Sequence, residues 1–381
     1  MLTYHIANTV SLLLFALLNA LNLHDYRPVP PDAVPPRPEE RLFILIPARN
    51  EVENIRECLA GLQAQTYSDF TLLVLDDASE DGTSEIVADI AREDPRIELL
   101  KGKPIEPGWA GKVWACSQLG AEAQKRGADW LLFLDADTRA LPGLVAAGLY
   151  HAQTHRAGMV STFPYQTTGS FWERIVLPMI HFLICTFLPL RLVWGSKAGA
   201  LVAGCGQFEL FSAGAYQTTG GHAGISGSFH DGLQLARKTK SAGFSVRLFD
   251  GSPLMTCRMY DGGKAVWNGF TRNAYEGLGG FIPLVGMTFL QSVLFLFPFG
   301  FLLYALIRGL LGFGVPQWSG LVALQVALIY TIRIMQAKRF GHGETVWLHP
   351  LSVTALIAIQ WASFFKSLRK TKVAWKGRIY N

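Results

Sequence analysis

One stretch, Asp129-Trp130-Leu131-Leu132-Phe133-Leu134-Asp135-Ala136-Asp137, limits the folds open to this chain more than any other. An apolar run of this length between polar residues suits a strand buried on both faces. At a strand end alternate residues point the same way, so Asp135 and Asp137 aim their carboxylates at one place. In open α/β sheets, ligands bind beyond that edge. Two hard oxygen donors with open positions suit Mg2+ or Mn2+ held jointly with a substrate diphosphate. An isolated D-x-D is more often a solvated acidic turn, so the neighbouring elements decide the matter.

The elements upstream supply that context. Leu42 to Pro47 reads as a first strand, with Arg49-Asn50-Glu51 at its end. Asn50 with Glu53 matches a capping box for a helix over about 51–64, whose buried face carries Ile55, Leu59 and Leu62. Thr71 to Leu75 is a second strand running into Asp76-Asp77, Asp81-Gly82-Thr83 opens another helix, and Ile97 to Leu100 is a third strand. A helix over 112–125 leads into the opening stretch. Strands alternating with helices imply parallel βαβ units, and so a sheet of the nucleotide-binding α/β type.

Hydrophobicity is uneven along the chain. Half of the 381 residues are hydrophobic and 17% are charged, against roughly 25% charged in ordinary soluble domains. Ile6 to Leu23 is long enough for one membrane span and lacks the basic leader and cleavage site of a signal peptide. Ile282–Ile307, Gly320–Met335 and Val346–Phe365 are three more candidates, the first of them kinked at Pro298. Residues 175–195 are apolar but interrupted by Pro178, His181, Pro189 and Arg191, which suits a helix lying in the membrane interface.

The expected organisation is an N-terminal transmembrane helix (1–25), a Pro-rich linker (26–40), the α/β domain with its interfacial helix (41–280), a transmembrane region (281–366) and a basic tail (367–381). By the charge rule such a tail stays in the cytosol, whereas three spans after a cytosolic domain place it outside. The net charge of +5 is modest. Lys and Arg form no stripe beside aromatics, which argues against a nucleic-acid partner. The five cysteines have no C-x-x-C spacing, so no zinc site or disulfide framework is indicated. His151, His155 and His181 lack ligand spacing and read as surface or interface residues. The segment Gly220–Ser228 is too glycine-rich for regular structure and reads as a mobile loop leading to His230-Asp231.

The runs Ile46-Pro47-Ala48-Arg49-Asn50-Glu51, Leu75-Asp76-Asp77-Ala78-Ser79-Glu80-Asp81-Gly82-Thr83 and Asp135-Ala136-Asp137 together resemble the family 2 inverting glycosyltransferases, across about residues 40–250. Two further segments, Pro107 to Ala115 and Trp267 to Asn273, are similar to the carotenoid- and hopanoid-associated members, more weakly.

The resemblance implies a GT-A fold: a mixed nucleotide-binding sheet flanked by helices, here with one N-terminal and about three C-terminal transmembrane helices. It implies that Pro47, Arg49, Glu51, Asp76 and Asp77 line the nucleoside pocket. Asp135 would hold the ribose or a metal-bound water, Asp137 the metal, and Lys112 the diphosphate. Asp231 would be the general base. The usual Glu-Asp pair at the base position is here His230-Asp231, and His230 either tunes Asp231 or is a spacer. The Q-x-x-R-W element of processive synthases is absent, which argues against polymer synthesis. Trp267 and Arg272 read equally well as acceptor contacts and as membrane-surface anchors.

The expected activity is a multi-pass cell-membrane glycosyltransferase (a hexosyltransferase) with its catalytic domain in the cytosol and a divalent metal, Mg2+ or Mn2+, as cofactor. It moves a sugar from a nucleotide-sugar donor, a UDP-hexose, to the hydroxyl or carboxyl of a carotenoid- or hopanoid-like lipid. The rival readings are a polyprenyl-phosphate glycosyltransferase and a catalytically inactive membrane scaffold.

Overall fold

The computed structural model describes residues 1–30, 32–196, 198–199, 201–369, 373–375 and 378–380. Much of the expected basic tail, including Lys370, Lys372 and Lys376, lies outside the described residues. The chain forms two discontinuous units. A sheet unit comprises Tyr26–Thr167 and Arg191–Met259, with the described tail residues. A helical unit comprises Met1–Asp25, Thr168–Leu190 and Tyr260–Thr371.

The strands of the sheet unit are β1 (Leu42–Ala48), β2 (Phe70–Asp76), β3 (Ile97–Lys101), β4 (Trp130–Leu134), β5 (Thr138–Ala140), β6 (Met159–Thr162), β7 (Tyr165–Gln166), β8 (Phe208–Ser212), β9 (Val246–Phe249) and β10 (Met255–Cys257). Seven of them make one mixed sheet in the order β3-β2-β1-β4-β8-β6-β9, and β5-β10-β7 make a small second sheet. Strands β1 to β4 are mutually parallel, and β8 runs antiparallel to β4 and β6.

The near-continuous apolar sequence of the central strands follows from this arrangement. Ile44, Ile46, Val74 and Leu132 point into one core with α2 (Ile55–Gln63), α3 (Thr83–Glu93) and, later in the chain, residues of 144–152. Their neighbours Leu45, Leu73, Leu75, Leu131 and Phe133 point into a second core on the other face, under α4 (Gly111–Lys125). Each strand therefore needs apolar side chains at both parities.

The remaining helices are α5 (Leu144–Thr154), α6 (Phe171–Val176), α7 (Met179–Phe187), α8 (Leu190–Gly195), α9 (Ala213–Thr218), α10 (Asp231–Ser241), α11 (Gly263–Leu278), α12 (Phe281–Phe295), α13 (Phe297–Leu310), α14 (Ser319–Phe340) and α15 (His349–Leu368), after the N-terminal α1 (Leu2–Asp25). Four helical stretches are long and apolar enough to cross a membrane: Leu2–Asp25, Phe281–Leu310, Ser319–Phe340 and Gly343–Leu368. Between α12 and α13 the helix breaks at Leu296 (φ −116°, ψ −50°), two residues before Pro298, whose ring and missing N–H disfavour an unbroken helix.

Local readings needed correction at four places. The helix expected from about residue 51 begins at Ile55, and Asn50 does not cap it. Asn50 instead sits at φ 51° and is tied to the neighbouring turn, its N–H donating to Ser79 Oγ (3.0 Å) and its Oδ1 accepting from Glu80 N (3.0 Å). The glycine-rich segment expected to be a mobile loop contains a 3-10 turn, Gly221–Ile225, with His222 fully buried. Its end is docked through Ala110 N–H, which donates to Ser226 O at 2.8 Å. Residues 175–195 are three short helices rather than one, broken at Pro178 and near Pro189. His181 is buried, stacked on Phe340 at 3.9 Å.

Candidate active site

The carboxyl ends of β1, β2 and β4 lie side by side because these strands are parallel and adjacent. Between β1 and β4 the strand order reverses, which is the ligand-binding crevice of an open α/β sheet. Pro47 is half-buried near the end of β1. Arg49 follows and donates from Nη1 to the carbonyls of Asp77 (2.5 Å) and Ala78 (2.9 Å). Asp77 is buried, and its N–H donates to Ala48 O at 2.8 Å. Asp76 ends β2, its Oδ1 accepting from Ser79 N at 3.2 Å. Glu51 donates its N–H to Thr83 Oγ1 (2.8 Å) and accepts on Oε2 from Asn54 Nδ2 (3.0 Å). Ala78 adopts φ 56°, a left-handed conformation that costs a non-glycine residue roughly 1–2 kcal/mol. Such strain persists where surrounding contacts fix the backbone, and it concentrates at ligand sites.

The centre of the arrangement is Lys112, the second residue of α4. Its ammonium pairs with Asp135 Oδ1 at 2.7 Å and Asp231 Oδ2 at 2.8 Å, and donates to Gly206 O at 3.1 Å. Asp135 lies just beyond β4 and Asp231 is the first residue of α10, so one cation joins elements about a hundred residues apart in sequence. Asp135 and Asp137 are both half-buried while Ala136 between them is buried, the alternation expected at a strand end.

This contact demands glycine. A Cβ on Gly206 would stand 2.4 Å from Asp231 Oδ1 and 3.0 Å from Lys112 Nζ. One on Gly204 would meet Gly232 O at 2.4 Å, and one on Gly232 would meet Gly206 N at 2.6 Å. The two backbones touch, which fixes where the Asp231 carboxylate points.

Charge coupling here is strong. Burial works against the Lys112 ammonium, but Asp135 and Asp231 outweigh it and hold it well above its ordinary range. Burial also raises Asp231, yet Lys112 overrides this and brings it down to about 2. For Asp135 burial prevails over Lys112, Asp137 adds repulsion, and the carboxyl rises to about 7.

Behind Asp231 lies a group that the sequence reading did not assign to the site. Glu209, in the middle of β8 opposite Phe133, faces His222 at 3.7 Å (Oε2 to Nε2). Tyr216 Oη is 2.9 Å from His222 Nδ1. Donor atoms of Glu209, His222 and Asp231 lie within 4.8 Å of one another. Burial, then the Asp231 charge, pushes Glu209 well above the carboxylate range, and burial lowers His222 to about 3. His222 is therefore neutral near pH 7. The available signal was an acid interrupting the apolar run Phe208-Glu209-Leu210-Phe211; His222 carried none, because its partners are set by tertiary packing.

Trp267 and Arg272 lie on α11 in the helical unit. Trp267 is 41% exposed, and Arg272 Nε donates to Asn273 Oδ1 at 3.3 Å.

Residues 43–212 match the model of glycosyl transferase family 2. They form a family 2 glycosyltransferase domain. The protein is a glycosyltransferase, similar to carotenoid-associated members of that family. It is 28% identical over 350 residues to the 4,4'-diaponeurosporenoate glycosyltransferase of Staphylococcus aureus strain MRSA252, covering 89% of this chain and 88% of the relative. In fold it resembles the mannosyltransferase PcManGT of Pyrobaculum calidifontis, solved with GDP-Man and Mn2+. That likeness has a TM-score of 0.57 at 16% identity, covering 97% of this chain and 99% of the other. The mixed sheet and its flanking helices are thus of the GT-A type.

Proposed function

We propose that this family 2 enzyme is membrane-anchored, inverting and metal-dependent, and that it moves a hexose from a nucleotide sugar, a UDP-hexose, onto a lipid acceptor. The observation that carries the reading is the Lys112 ammonium, within 2.8 Å of both Asp135 and Asp231. The acid of the D-x-D and the candidate base converge there on one point. The Staphylococcus aureus relative, named for an apolar acid, supports a carotenoid-like lipid acceptor with a hydroxyl or carboxyl group.

The donor set fits a divalent ion. Asp135 and Asp137 offer hard oxygens from one strand end, and Asp135, raised to about 7 first by burial and then by Asp137, gains from an added cation. When bound, such an ion would neutralise the departing diphosphate. Asp77, with Asp76, Arg49, Pro47 and Glu51 around it, would hold the nucleoside. Lys112 would meet the diphosphate as a point charge. Asp231 would take the acceptor's proton as its oxygen bonds to the anomeric carbon and the bond to the diphosphate breaks on the opposite face.

Lys112 links these roles. A carboxylate held near 2 is a poor base for an alcohol. Drawing the ammonium toward a diphosphate removes what depresses Asp231 and leaves burial to raise it. Donor binding would therefore prepare the base.

The test is Asp231→Asn. We expect near-normal donor binding by calorimetry and transfer to an alcohol acceptor reduced by at least about 10². A carboxylate acceptor is already ionised near neutral pH and should lose far less. Full transfer to an alcohol would move the base elsewhere, with Glu209 or His230 next in line. Loss of donor binding would give Asp231 a different role.

Nucleotide sugars are cytosolic, so the sheet unit would face the cytosol. All five wild-type cysteines are buried, which favours a reporter. A cysteine placed at the exposed Asp89 on α3 should resist membrane-impermeant thiol reagents in intact cells; labelling before lysis would contradict the orientation.

A further inference from the structure

We propose that the helical unit holds an anion-binding cleft for the phosphate headgroup of a bilayer lipid, centred on Arg333. This residue is on α14, one of the four candidate spans, yet it is 3% exposed. Among the described residues no carboxylate pairs with it. Its polar contact is Nη1 to Gln336 Oε1 at 3.3 Å, its guanidinium lies 5.7 Å from the Phe182 ring centre, and its Nε has no partner.

A buried cation without a counter-charge is costly, and in a membrane segment it marks a ligand or ion site. Every neighbour that could relieve it is neutral or cationic. Gln336 presents its oxygen to Arg333 because its amide nitrogen is committed to Asn19 Oδ1 (2.7 Å) and Thr186 Oγ1 (3.0 Å). Asn19 Nδ2 is a second donor without a partner in the same network. The cleft that Arg333 lines is completed by Pro178, His181, Phe340 and His342. His342 is held at φ 64°, a strained conformation, and Lys338 and Arg339 close the last turn of α14 beside it. Within the described cleft the charge is all of one sign.

The shape limits the occupant. The free volume is about 10 Å³, room for roughly one oxygen atom. A tetrahedral oxyanion would direct one oxygen inward to Arg333 while its remaining bulk stayed at the mouth, at the end of α14 that carries the basic last turn. A phospholipid headgroup meets that description at the end of a span. With the orientation given under the proposed function, this end of α14 lies in the cytosolic leaflet, where anionic lipids attract basic groups. Only the choice of leaflet rests on that reading.

The experiment uses the full-length protein in nanodiscs of phosphatidylcholine with a minor share of phosphatidylglycerol, followed by native mass spectrometry. Wild type should retain phosphatidylglycerol over phosphatidylcholine, and Arg333→Met should lower that preference about tenfold, the scale of a lost charge-assisted contact. Arg333→Lys, which keeps the charge but not the fork, should lie between. A second arm measures Tm in neutral detergent without lipid as inorganic phosphate is added. Stabilisation of wild type but not of Arg333→Met would support the oxyanion site and assign its source to solvent. If Arg333→Met does not fold, wild type and Arg333→Lys decide the question. No lipid preference in wild type, together with no phosphate-dependent Tm, overturns the proposal. Neither readout involves sugar transfer, so the result stands apart from the assignment of Asp231.

Discussion

The two units solve the same packing problem with opposite patterns. In the sheet unit the apolar residues are inside: Ile44, Leu45, Leu73 and Leu131 are fully buried, and surface positions of α3 such as Asp89 and Arg92 are charged. In the helical unit α1 is reversed. Asn8, Thr9, Asn19 and Asn22 are buried, while Leu13, Leu14 and Leu17 face outward. Gln325 of α14 donates to His5 O (2.8 Å) and Thr9 Oγ1 (3.0 Å) and accepts from Asn8 Nδ2 (3.2 Å). Asn22 bonds the carbonyls of Cys185 and Leu188, both at 2.8 Å, and accepts from Leu190 N at 3.1 Å. In water the first pattern gains from burial. In lipid, apolar burial between helices gains little, and packing with interhelical hydrogen bonds holds them together. The polar residues that interrupt the N-terminal apolar run are therefore its contact surface.

That contrast can be broken most forcefully at Lys112. Lys112→Met leaves the half-buried Asp135 and the buried Asp231 without their cation, and removing one partner of a buried pair costs roughly 3–5 kcal/mol. We expect a lower melting temperature of the sheet unit, weaker donor binding, and, at saturating donor, an acidic limb of the pH–rate profile moved upward. The sign follows from Asp231: its carboxyl is depressed to about 2 by Lys112, so removing Lys112 raises it. An unchanged limb would mean that Asp231 does not set it.

Phe133→Ala and Leu14→Ala sharpen the comparison. Phe133 is buried against Tyr216 and His222, so its truncation should cost about 3–5 kcal/mol by denaturant melts. Leu14 is 63% exposed, and its truncation should leave stability in detergent nearly unchanged. Comparable losses at both sites would refute the inside-out description of α1.

Glu173 gives a smaller effect. It caps α6, accepting from the N–H groups of Gly169 (2.7 Å), Ser170 (3.2 Å) and Gly262 (2.7 Å). Burial raises this carboxyl, but these bonds bring it down to about 2. A depressed carboxylate stabilises fully above its unfolded value, near 4.5, and the contribution disappears as pH falls toward 2. Glu173→Ala should cost roughly 1–3 kcal/mol near neutral pH and little at pH 2. A smaller loss than at Glu173 is expected from Gln325→Leu, about 0.6 kcal/mol and at most about 1.7, the scale of hydrogen bonds between membrane helices, because separated helices also find polar partners. A much larger loss would give Gln325 a role beyond holding α1 to α14.

The difference between the units also accounts for what the sequence made legible. Strands β1, β2 and β4 and the acids at their ends follow from local patterns, because a doubly covered parallel strand is apolar throughout. The four long apolar helices were legible from the length of their apolar runs. The start of α2 was misplaced because Asn50 and Glu53 satisfy a local capping rule, while the turn at Ser79 and Glu80 claims Asn50. His222 was lost in a glycine-rich stretch, since only packing against Phe133 and Tyr216 buries it. Residues 168–190 cluster with α1 and the C-terminal helices through contacts such as Asn22 to Cys185, a separation of 163 residues that no sequence window spans.

The reversed face of α1 also has a consequence in time. This helix is made before α14, and Asn8 meets Gln325 only after 317 more residues have been made. At roughly 5–20 residues per second that interval is about 15–60 s. Throughout it Asn8, and likewise Asn19 until Gln336 is made, wait without their final partners, open to a chaperone or to the wrong helix. Chains cut short before α14 would keep that face exposed and become natural targets for proteolysis.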